Sequence, residues 1–263
     1  MIDTHAHLHF PDFSADRPLV LTRAFALGVT GILEVGTDPA SWGPVLSLAH
    51  ADPRIRAILG IHPHEAERAD AAGLNELAAK LGDESVVAVG EAGLDRVRGR
   101  APWEAQQRAF AAQIGLALDR DLPLVIHCRE AFDDVLAILD REGQGRARGE
   151  FHCFSGTIEN ARAVIARSFL VGLGGAVTYD LPRWKPILQA LPHESILLET
   201  DAPYLRPEPE RRKRNEPACL FVTAQAIAQA LGMEPRELES IADRNAIALF
   251  GCDAGMRPFG SRR

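Results

Sequence analysis

Short apolar runs alternate along the whole chain with longer stretches that have helical periodicity. Each run is rich in Val, Ile and Leu and is followed by a polar residue or by a Gly or Pro break. This is the pattern of strands that are buried in a parallel sheet. We predict eight such strands, which end near His7, Gly36, His62, Glu91, His127, Cys153, Gly175 and Glu199.

The stretches between the apolar runs predict helices. In the segment Pro102 to Arg120, a proline suits the first position, and Phe110 and Ile114 share an apolar face. Two closing helices are predicted near Glu216 to Leu231 and from Pro235 to Phe250. Each strand is therefore followed by a helix.

Eight successive strand–helix units in a chain of 263 residues predict an α/β fold, the (β/α)₈ TIM barrel. The barrel would have eight parallel strands and an extra C-terminal helix. A doubly wound open sheet is the competing arrangement of the same units. Since no linker interrupts the pattern, we predict one barrel domain over residues 1–251 and a tail over residues 252–263.

Composition excludes several classes of protein. A hydrophobic fraction of 46% and a charged fraction of 25% are ordinary for globular domains and exclude a disordered chain. The four cysteines lie far apart without a CxxC pair, so neither a disulfide framework nor a thiolate zinc site is predicted. The N-terminus lacks a basic segment before an apolar one. We therefore expect a cytoplasmic protein with no membrane partner and, by default, a monomer.

Six side chains of metal-ligating type fall at or just beyond predicted strand ends. Because the carboxyl ends of barrel strands open on one face, these side chains should converge there. Each histidine taken alone is equally consistent with a structural buried imidazole. Together they exceed the needs of one tetrahedral ion and suit two divalent ions. The predicted ligands are His5, His7, Glu91, His127, His152 and Asp201.

The two carboxylates of this set have predicted catalytic roles. Glu91 directly follows an apolar run, where an unpaired buried carboxylate is costly, and we expect it to bridge the two ions. An ion pair with an arginine is its structural alternative. Asp201 is expected to act as ligand and general base, with a helix cap as its alternative. Two neighbouring ions activate water and stabilise both the entering and leaving oxygens of a phosphodiester.

Positive side chains on the same face predict an anionic substrate, although the net charge of the chain is −7. Arg129 follows a predicted ligand and suits bidentate binding of a phosphate. His62 and His64 are placed to orient a phosphate or to protonate a leaving oxygen. Lys213 and Arg214 lie in a basic loop after strand eight. The loop after strand four adds Arg96, Arg98 and Arg100, and solvated charged loops are the structural alternative for both segments.

A series of short motifs follows in order along nearly the whole chain. They are THAHL at 4–8, GIHPH at 60–64, GEAGLD at 90–95, LPLVIH at 122–127, FHCFSG at 151–156, LETDAPYL at 198–205 and KRNEP at 213–217. With these motifs the chain resembles the TatD family of metal-dependent deoxyribonucleases, a branch of the amidohydrolase-like barrels. The chain departs from the usual family pattern at a few positions, among them His9, Glu210 and Arg212.

The resemblance implies a hydrolase that acts on ester bonds and cleaves DNA as a 3′–5′ exonuclease. The implied cofactors are two divalent ions, Mg²⁺ or Mn²⁺ for activity, while the same ligands also accept Zn²⁺ or Ni²⁺. The implied partner is DNA, as single strands or 3′ ends. The resemblance also assigns His5, His7, Glu91 and Asp201 to one ion, and Glu91, His127 and His152 to the other.

Two further functions stay open on the sequence alone. Hydrolysis of amide, lactone or aminoacyl-ester bonds is one, because neither the fold nor a two-metal centre distinguishes carbonyl from phosphoryl substrates. A non-catalytic binding protein on the same scaffold is the other, which the presence of all six predicted ligands disfavours. The arginines on the rim favour a phosphate.

Overall fold

All eight predicted strands are present and run parallel in a barrel. In this computed structural model residues 1–251 are described, so the predicted tail over residues 252–263 lies outside the described residues. The observed strand ends lie within four residues of the predicted ones. The strands are β1 (Ile2–Ala6), β2 (Gly31–Gly36), β3 (Ile55–Leu59), β4 (Val86–Asp95), β5 (Leu124–Arg129), β6 (Gly149–Phe151), β7 (Phe169–Leu173) and β8 (Ile196–Leu198).

The strands are hydrogen-bonded in their order along the chain, from β1 to β8. A doubly wound sheet would reverse its order part-way, so the competing arrangement is excluded. The segment that follows β8 pairs with the end of β1 through a parallel bridge between Ala6 and Ala202. At this seam the His7 N–H donates to the Ala202 carbonyl at 2.8 Å. The barrel is nearly closed, and its seam joins the first and the last part of the candidate site.

Helices follow the strands and cover the barrel from outside. They are α1 (Arg17–Ala26), α2 (Pro39–Ala51), α3 (Ala71–Lys80), α4 (Trp103–Arg120), α5 (Phe132–Ile138), α6 (Ile158–Ile165), α7 (Leu181–Ala190), α8 (Leu220–Leu231) and α9 (Pro235–Phe250). None of these helices of residues 1–251 combines the length and the apolar character needed to cross a bilayer.

The predicted closing helices are present with one correction. α9 has its predicted bounds, whereas α8 begins at Leu220 and not near Glu216. The residues Pro217–Cys219 form a separate 3₁₀ turn instead. Proline lacks the N–H that a continuing helix needs, so it suits the start of this turn. The α4 helix also starts one residue late, because Pro102 is extended and precedes the first helical residue.

The lower part of the barrel interior is apolar. Side chains from several strands form one buried cluster there, which includes Leu33, Ile58, Val125 and Leu197. Phe250 of α9 belongs to the same cluster, and α9 packs against β1 and β8. The extra C-terminal helix therefore closes the end of the barrel opposite to the candidate site.

Candidate metal centre

The six predicted ligands lie together at the carboxyl ends of the strands. His5, Glu91 and His127 belong to β1, β4 and β5, and the other three follow β1, β6 and β8 within three residues. The seam of the barrel fixes the first and last of them, because the Asp201 N–H donates to the His5 carbonyl at 2.8 Å. We call this group the centre: His5, His7, Glu91, His127, His152 and Asp201.

Glu91 occupies the middle of the centre with its two oxygens facing different partners. Its Oε1 atom lies 2.7 Å from His127 Nδ1 and 2.7 Å from His152 Nε2. Its Oε2 atom lies 3.5 Å from His5 Nε2 and 3.9 Å from His7 Nε2. This arrangement has the form of a bridging carboxylate. The arginine partner considered as its structural alternative is not among the neighbours that these contacts give for Glu91.

Asp201 completes the side of the centre that His5 and His7 form. Its Oδ1 atom lies 3.5 Å from His7 Nε2 and 4.0 Å from His5 Nε2. The two imidazole nitrogens are 3.3 Å apart. His152 lies between the two sides, since its ring stacks on that of His5 at 4.0 Å while its Nε2 atom faces Glu91.

Among residues 1–251, four triplets of donor atoms are compact enough to hold an ion. In each triplet the donor atoms lie within 4.8 Å of one another. Glu91 belongs to two of the triplets, which agrees with a carboxylate shared between two sites. The triplets are His5, His7 and Glu91; His62, Glu91 and His127; His5, His152 and Asp201; and His152, Cys153 and Glu199.

The hydrogen bonds of the imidazoles leave the correct nitrogens free for a cation. The Nδ1 atom of His7 lies 2.9 Å from the Val35 carbonyl, so the neutral ring carries its proton on Nδ1 and offers Nε2 as the ligating nitrogen. The Nε2 atom of His127 lies 3.3 Å from an Asp95 oxygen, which leaves Nδ1 as the lone pair. Since these lone pairs point at Glu91, the donor set fits divalent ions.

His62 differs from the other imidazoles near the centre. Its Nδ1 atom accepts a hydrogen bond from the backbone N–H of His64 at 3.0 Å. The neutral ring of His62 therefore carries its proton on Nε2, which lies 3.4 Å from Glu91 Oε1. In this tautomer Nε2 is a hydrogen-bond donor, although His62 also belongs to one of the compact triplets. The substrate-orienting role of His62 stays a prediction.

The predicted phosphate-binding cations lie on the rim in different surroundings. Arg129 is the last residue of β5 and is exposed. Lys213 forms an ion pair with Glu210 in the loop between β8 and α8. Arg214 binds Asp16 through two hydrogen bonds of 2.9 and 2.6 Å. Of the three guanidinium and ammonium groups, that of Arg214 is the most firmly engaged within the protein.

A sequence model of the TatD-related DNases matches residues 2–251. The chain belongs to the TatD family. The identification made from the motifs is therefore confirmed, and so is the assignment to hydrolases that act on ester bonds. The fold agrees, because a solved structure of the TatD homologue YjjV from Escherichia coli K12 superposes with a TM-score of 0.91 at 32% identity. That superposition covers 96% of this chain and 98% of YjjV.

Curated relatives match over nearly the same length. An uncharacterised metal-dependent hydrolase of Bacillus subtilis (strain 168), YabD, is 37% identical over 95% of this chain and 98% of its own length. The 3′–5′ ssDNA/RNA exonuclease TatD of Escherichia coli (strain K12) is 34% identical over 95% of this chain and 99% of its own length. The TatD likeness thus extends through the whole barrel.

The charges of this TatD-family centre are mutually dependent. Although burial disfavours the charged imidazole of His7, its hydrogen bond with Asp201 and the charges of Asp201 and Glu91 raise its pKa to about 9. By contrast, burial and the charge of His152 lower the pKa of His5 to about 4. The imidazoles of His152 and His62 hold the pKa of the buried Glu91 carboxyl well below its usual range. The ionised carboxylates of Glu91 and Asp201 are therefore stabilised by positive charge beside them.

Asp95 is a functional residue that the sequence reasoning missed. Its Oδ2 atom lies 2.8 Å from His64 Nε2 and 3.3 Å from His127 Nε2. Its Oδ1 atom accepts the backbone N–H groups of Val97 and Arg98 at 2.7 and 3.0 Å. One carboxylate thus orients a predicted ligand and fixes the start of the arginine-bearing loop. The even spacing from Glu91 along β4 was the available signal.

A second group of carboxyl side chains lies buried beneath the centre. Glu150 and Glu199 are fully buried, and a Cβ atom at Gly172 would collide with both of them. Burial raises the pKa of Glu150 to about 7, and burial together with the charge of Glu150 raises that of Glu199 well above its usual range. Glu199 also accepts the Cys153 N–H at 2.6 Å. This layer supports the loop that carries His152.

His9, one of the departures from the family pattern, does not join the centre. Its Nδ1 atom lies 2.7 Å from Glu34 Oε1, and the same carboxylate accepts the backbone N–H groups of Leu8 and His9. Glu34 is fully buried in β2. The pair therefore fixes the loop after β1, which positions His7.

Proposed function

We propose that the protein hydrolyses phosphodiester bonds of DNA, as a 3′–5′ exonuclease acting on single strands or 3′ ends. The observation that carries the proposal is the double-faced placement of Glu91 between two sets of imidazoles. Membership of the TatD family and the exonuclease name of its relatives support the choice of substrate. Metal dependence is supported by the relatives named as metal-dependent hydrolases. The predicted monomeric state and cytoplasmic location stay predictions.

Two divalent ions would be held by the centre. His5 and His7 face Glu91 Oε2 and, together with Asp201 beside them, would hold the first ion, whereas His127 and His152 face Glu91 Oε1 and would hold the second. Bound divalent ions supply Lewis acidity to phosphoryl oxygens and lower the pKa of water. We propose Mg²⁺ or Mn²⁺ as the active ions, with Zn²⁺ or Ni²⁺ also accepted by these ligands.

The side chains have separate tasks in this proposal. Asp201 lies at the mouth, 8% exposed, where its carboxylate accepts the proton of the attacking water. Glu91 contacts both sets of imidazoles, one set with each oxygen, and keeps them in position relative to each other. His62 donates its Nε2 proton in a hydrogen bond to a phosphate oxygen, because its Nδ1 atom is already occupied. His64, whose ring is held by Asp95, fixes the position of His62.

The rim cations hold the substrate strand. Arg129 is exposed beside the predicted ligand His127 and suits bidentate contact with a phosphate. Lys213 extends from the loop after β8 and contributes charge further along the strand. Arg214 contributes through its pair with Asp16, which fixes that loop against α1.

The decisive experiment uses metal-stripped protein and a 5′-labelled single-stranded oligonucleotide, with Mg²⁺, Mn²⁺ or Zn²⁺ added in turn. Progressive shortening by the wild type, and none by Asp201→Asn purified in parallel, is the expected result. Internal products would replace the exonuclease mode with an endonuclease. Absence of cleavage with every ion would refute the nuclease proposal, and a panel of amides, lactones and aminoacyl esters would then identify the carbonyl-hydrolase alternative.

A further inference from the structure

Two aromatic rings form a corner at the edge of the centre. Tyr204 is 54% exposed. Its ring centroid lies 6.4 Å from that of His7 and 6.2 Å from that of Phe10, with the Phe10 ring inclined at 75°. Phe10 lies flat against His7, at 4.9 Å and 9°. The corner therefore directly adjoins a predicted metal ligand.

The backbone beneath the exposed ring is firmly fixed. The Tyr204 N–H donates to the Asp201 carbonyl at 2.8 Å. The side-chain amide of Asn215 donates to the carbonyls of Tyr204 and Thr200 at 2.7 and 2.8 Å, and Asn215 is fully buried. A single exposed aromatic residue is ordinary on a protein surface. Here, however, hydrogen bonds hold the backbone of Tyr204 at a set position beside the centre.

Positive charge lies on the same face of the barrel. The loop that carries Arg98 and Arg100 starts beside the centre, because the Arg98 N–H donates to Asp95 Oδ1 at 3.0 Å and Asp95 Oδ2 lies 3.3 Å from His127 Nε2. Both arginines are exposed in the loop after β4. An aromatic face beside exposed cations is the combination with which proteins bind single-stranded nucleic acid, by stacking on bases and neutralising phosphates.

We propose that Tyr204 is the stacking surface for the nucleobase next to the scissile phosphate, with Phe10 as its side wall. The proposal rests on the nuclease function proposed above. Because the scissile phosphate joins two nucleosides, a phosphate held in the centre brings one of the two flanking bases to the adjoining ring. A base inside a duplex has both faces covered by its neighbours. The subsite therefore selects an unpaired base, in a single strand or at a frayed 3′ end.

The test combines protein variants with base removal. Tyr204→Ala, Tyr204→Phe and Tyr204→Leu are compared with Phe221→Ala, which removes an exposed aromatic side chain from α8. Each protein cleaves a single-stranded oligonucleotide and a matched one that is abasic at the nucleotide next to the scissile phosphate. For the wild type, base removal should lower kcat/KM about tenfold, the usual scale of one stacked base. Tyr204→Ala should already be tenfold slower on the intact substrate and should discriminate less than about twofold.

The conservative variants separate stacking from simple apolar contact. Tyr204→Phe and Phe221→Ala should behave as the wild type, whereas Tyr204→Leu should lose the discrimination because it has no π face. Full discrimination by Tyr204→Ala would overturn the stacking subsite and leave the nuclease proposal intact. Wild-type kinetics in Tyr204→Leu would likewise overturn it.

A second readout does not depend on catalysis. An oligonucleotide with 2-aminopurine at the same position is titrated with each metal-free protein in the presence of EDTA. Quenching of its fluorescence by the wild type and Tyr204→Phe, and its loss in Tyr204→Ala, would establish the stacked base. Equal quenching by the wild type and Tyr204→Ala would refute it. If the wild type cleaves no oligonucleotide with any ion, the nuclease proposal fails and this titration alone decides the subsite.

Discussion

The two ends of the barrel interior are built from the same strands, but one end buries apolar side chains and the other buries imidazoles and carboxylates. On β5, Val125 lies in the apolar cluster that α9 covers, while His127, two residues further, faces Glu91. On β8 and the loop beyond it, Leu197 packs in that cluster and Asp201 lies in the centre. The lower end gains stability from buried apolar surface, whereas the upper end buries groups that need a cation. Stability and chemistry should therefore be separable by mutation.

Removal of a central carboxylate tests the upper end and has the largest expected effect. Glu91→Ala or Asp201→Asn should lower the hydrolysis of single-stranded DNA at least about 1000-fold, because ion binding and proton acceptance are lost. The fold should be retained, since neither residue belongs to the apolar cluster. Cleavage assays with Mn²⁺ and circular dichroism measure the two outcomes.

Metal binding supplies the control for this pair of variants. Mn²⁺ at about 100 times its dissociation constant should raise the free energy of unfolding of the wild type by about 2.7 kcal/mol, by mass action. The same Mn²⁺ concentration should leave the stability of Glu91→Ala nearly unchanged. Activity retained in either variant would contradict the assigned roles of these carboxylates.

A cavity at the lower end should produce the converse result. Leu197 is fully buried in the apolar cluster, so Leu197→Ala should lower the free energy of unfolding by about 2–5 kcal/mol. At 25 °C the folded variant should keep the wild-type kcat. Chemical denaturation and steady-state kinetics check both parts.

A surface variant of the same type calibrates the Leu197 result. Leu19 is 61% exposed on α1, and Leu19→Ala should change stability by no more than about 0.5 kcal/mol. A large loss of kcat in Leu197→Ala at a temperature where it is folded would show that the two ends are coupled.

The barrel and the six members of the centre could be predicted because each carries its own signal. Strands such as β5 are apolar runs of the right length, and His127 and Asp201 stand at or beyond such runs. The position of a residue at a strand end, together with its type, therefore predicts which side chains meet. Strand bounds were less accurate, because apolar residues do not show where pairing stops. Thus β4 continues past Glu91 to Asp95.

The supporting residues could not be found in this way. Asp95 acts through hydrogen bonds to His127 and to its own loop, and Asn215 acts through backbone carbonyls. Such contacts depend on three-dimensional neighbours. The even spacing from Glu91 places Asp95 on the same side of β4, but it does not identify the partners of Asp95. Likewise, the loop charges predict a basic rim, but they do not show that Arg214 is bound to Asp16.

Asp95→Asn tests whether the upper end depends on this hidden support. Asp95 accepts two imidazole N–H groups with one oxygen and two backbone N–H groups with the other. In the asparagine an NH₂ group, which cannot accept, replaces one of these oxygens, so the hydrogen bonds on that side are lost. Loss of such an orienting carboxylate should weaken Mn²⁺ binding about 10- to 100-fold, as measured by calorimetry. Asp134→Asn, which removes only the ion pair with Arg96, should bind Mn²⁺ as the wild type does. Equal affinities in both variants would remove Asp95 from the support of the centre.

Arg129→Ala should have the smallest effect, because Arg129 is exposed and its proposed role is contact with the substrate alone. KM for a single-stranded oligonucleotide should rise about tenfold with little change in kcat, the signature of lost uniform binding. The slope of log affinity against log salt should also fall by about 0.7, the value for one phosphate contact with a single strand. Arg148→Ala is the matched control, since that guanidinium binds Asp121 at the opposite end of the barrel. Unchanged KM and salt slope in Arg129→Ala would place phosphate binding elsewhere on the rim, with Lys213 as the next candidate.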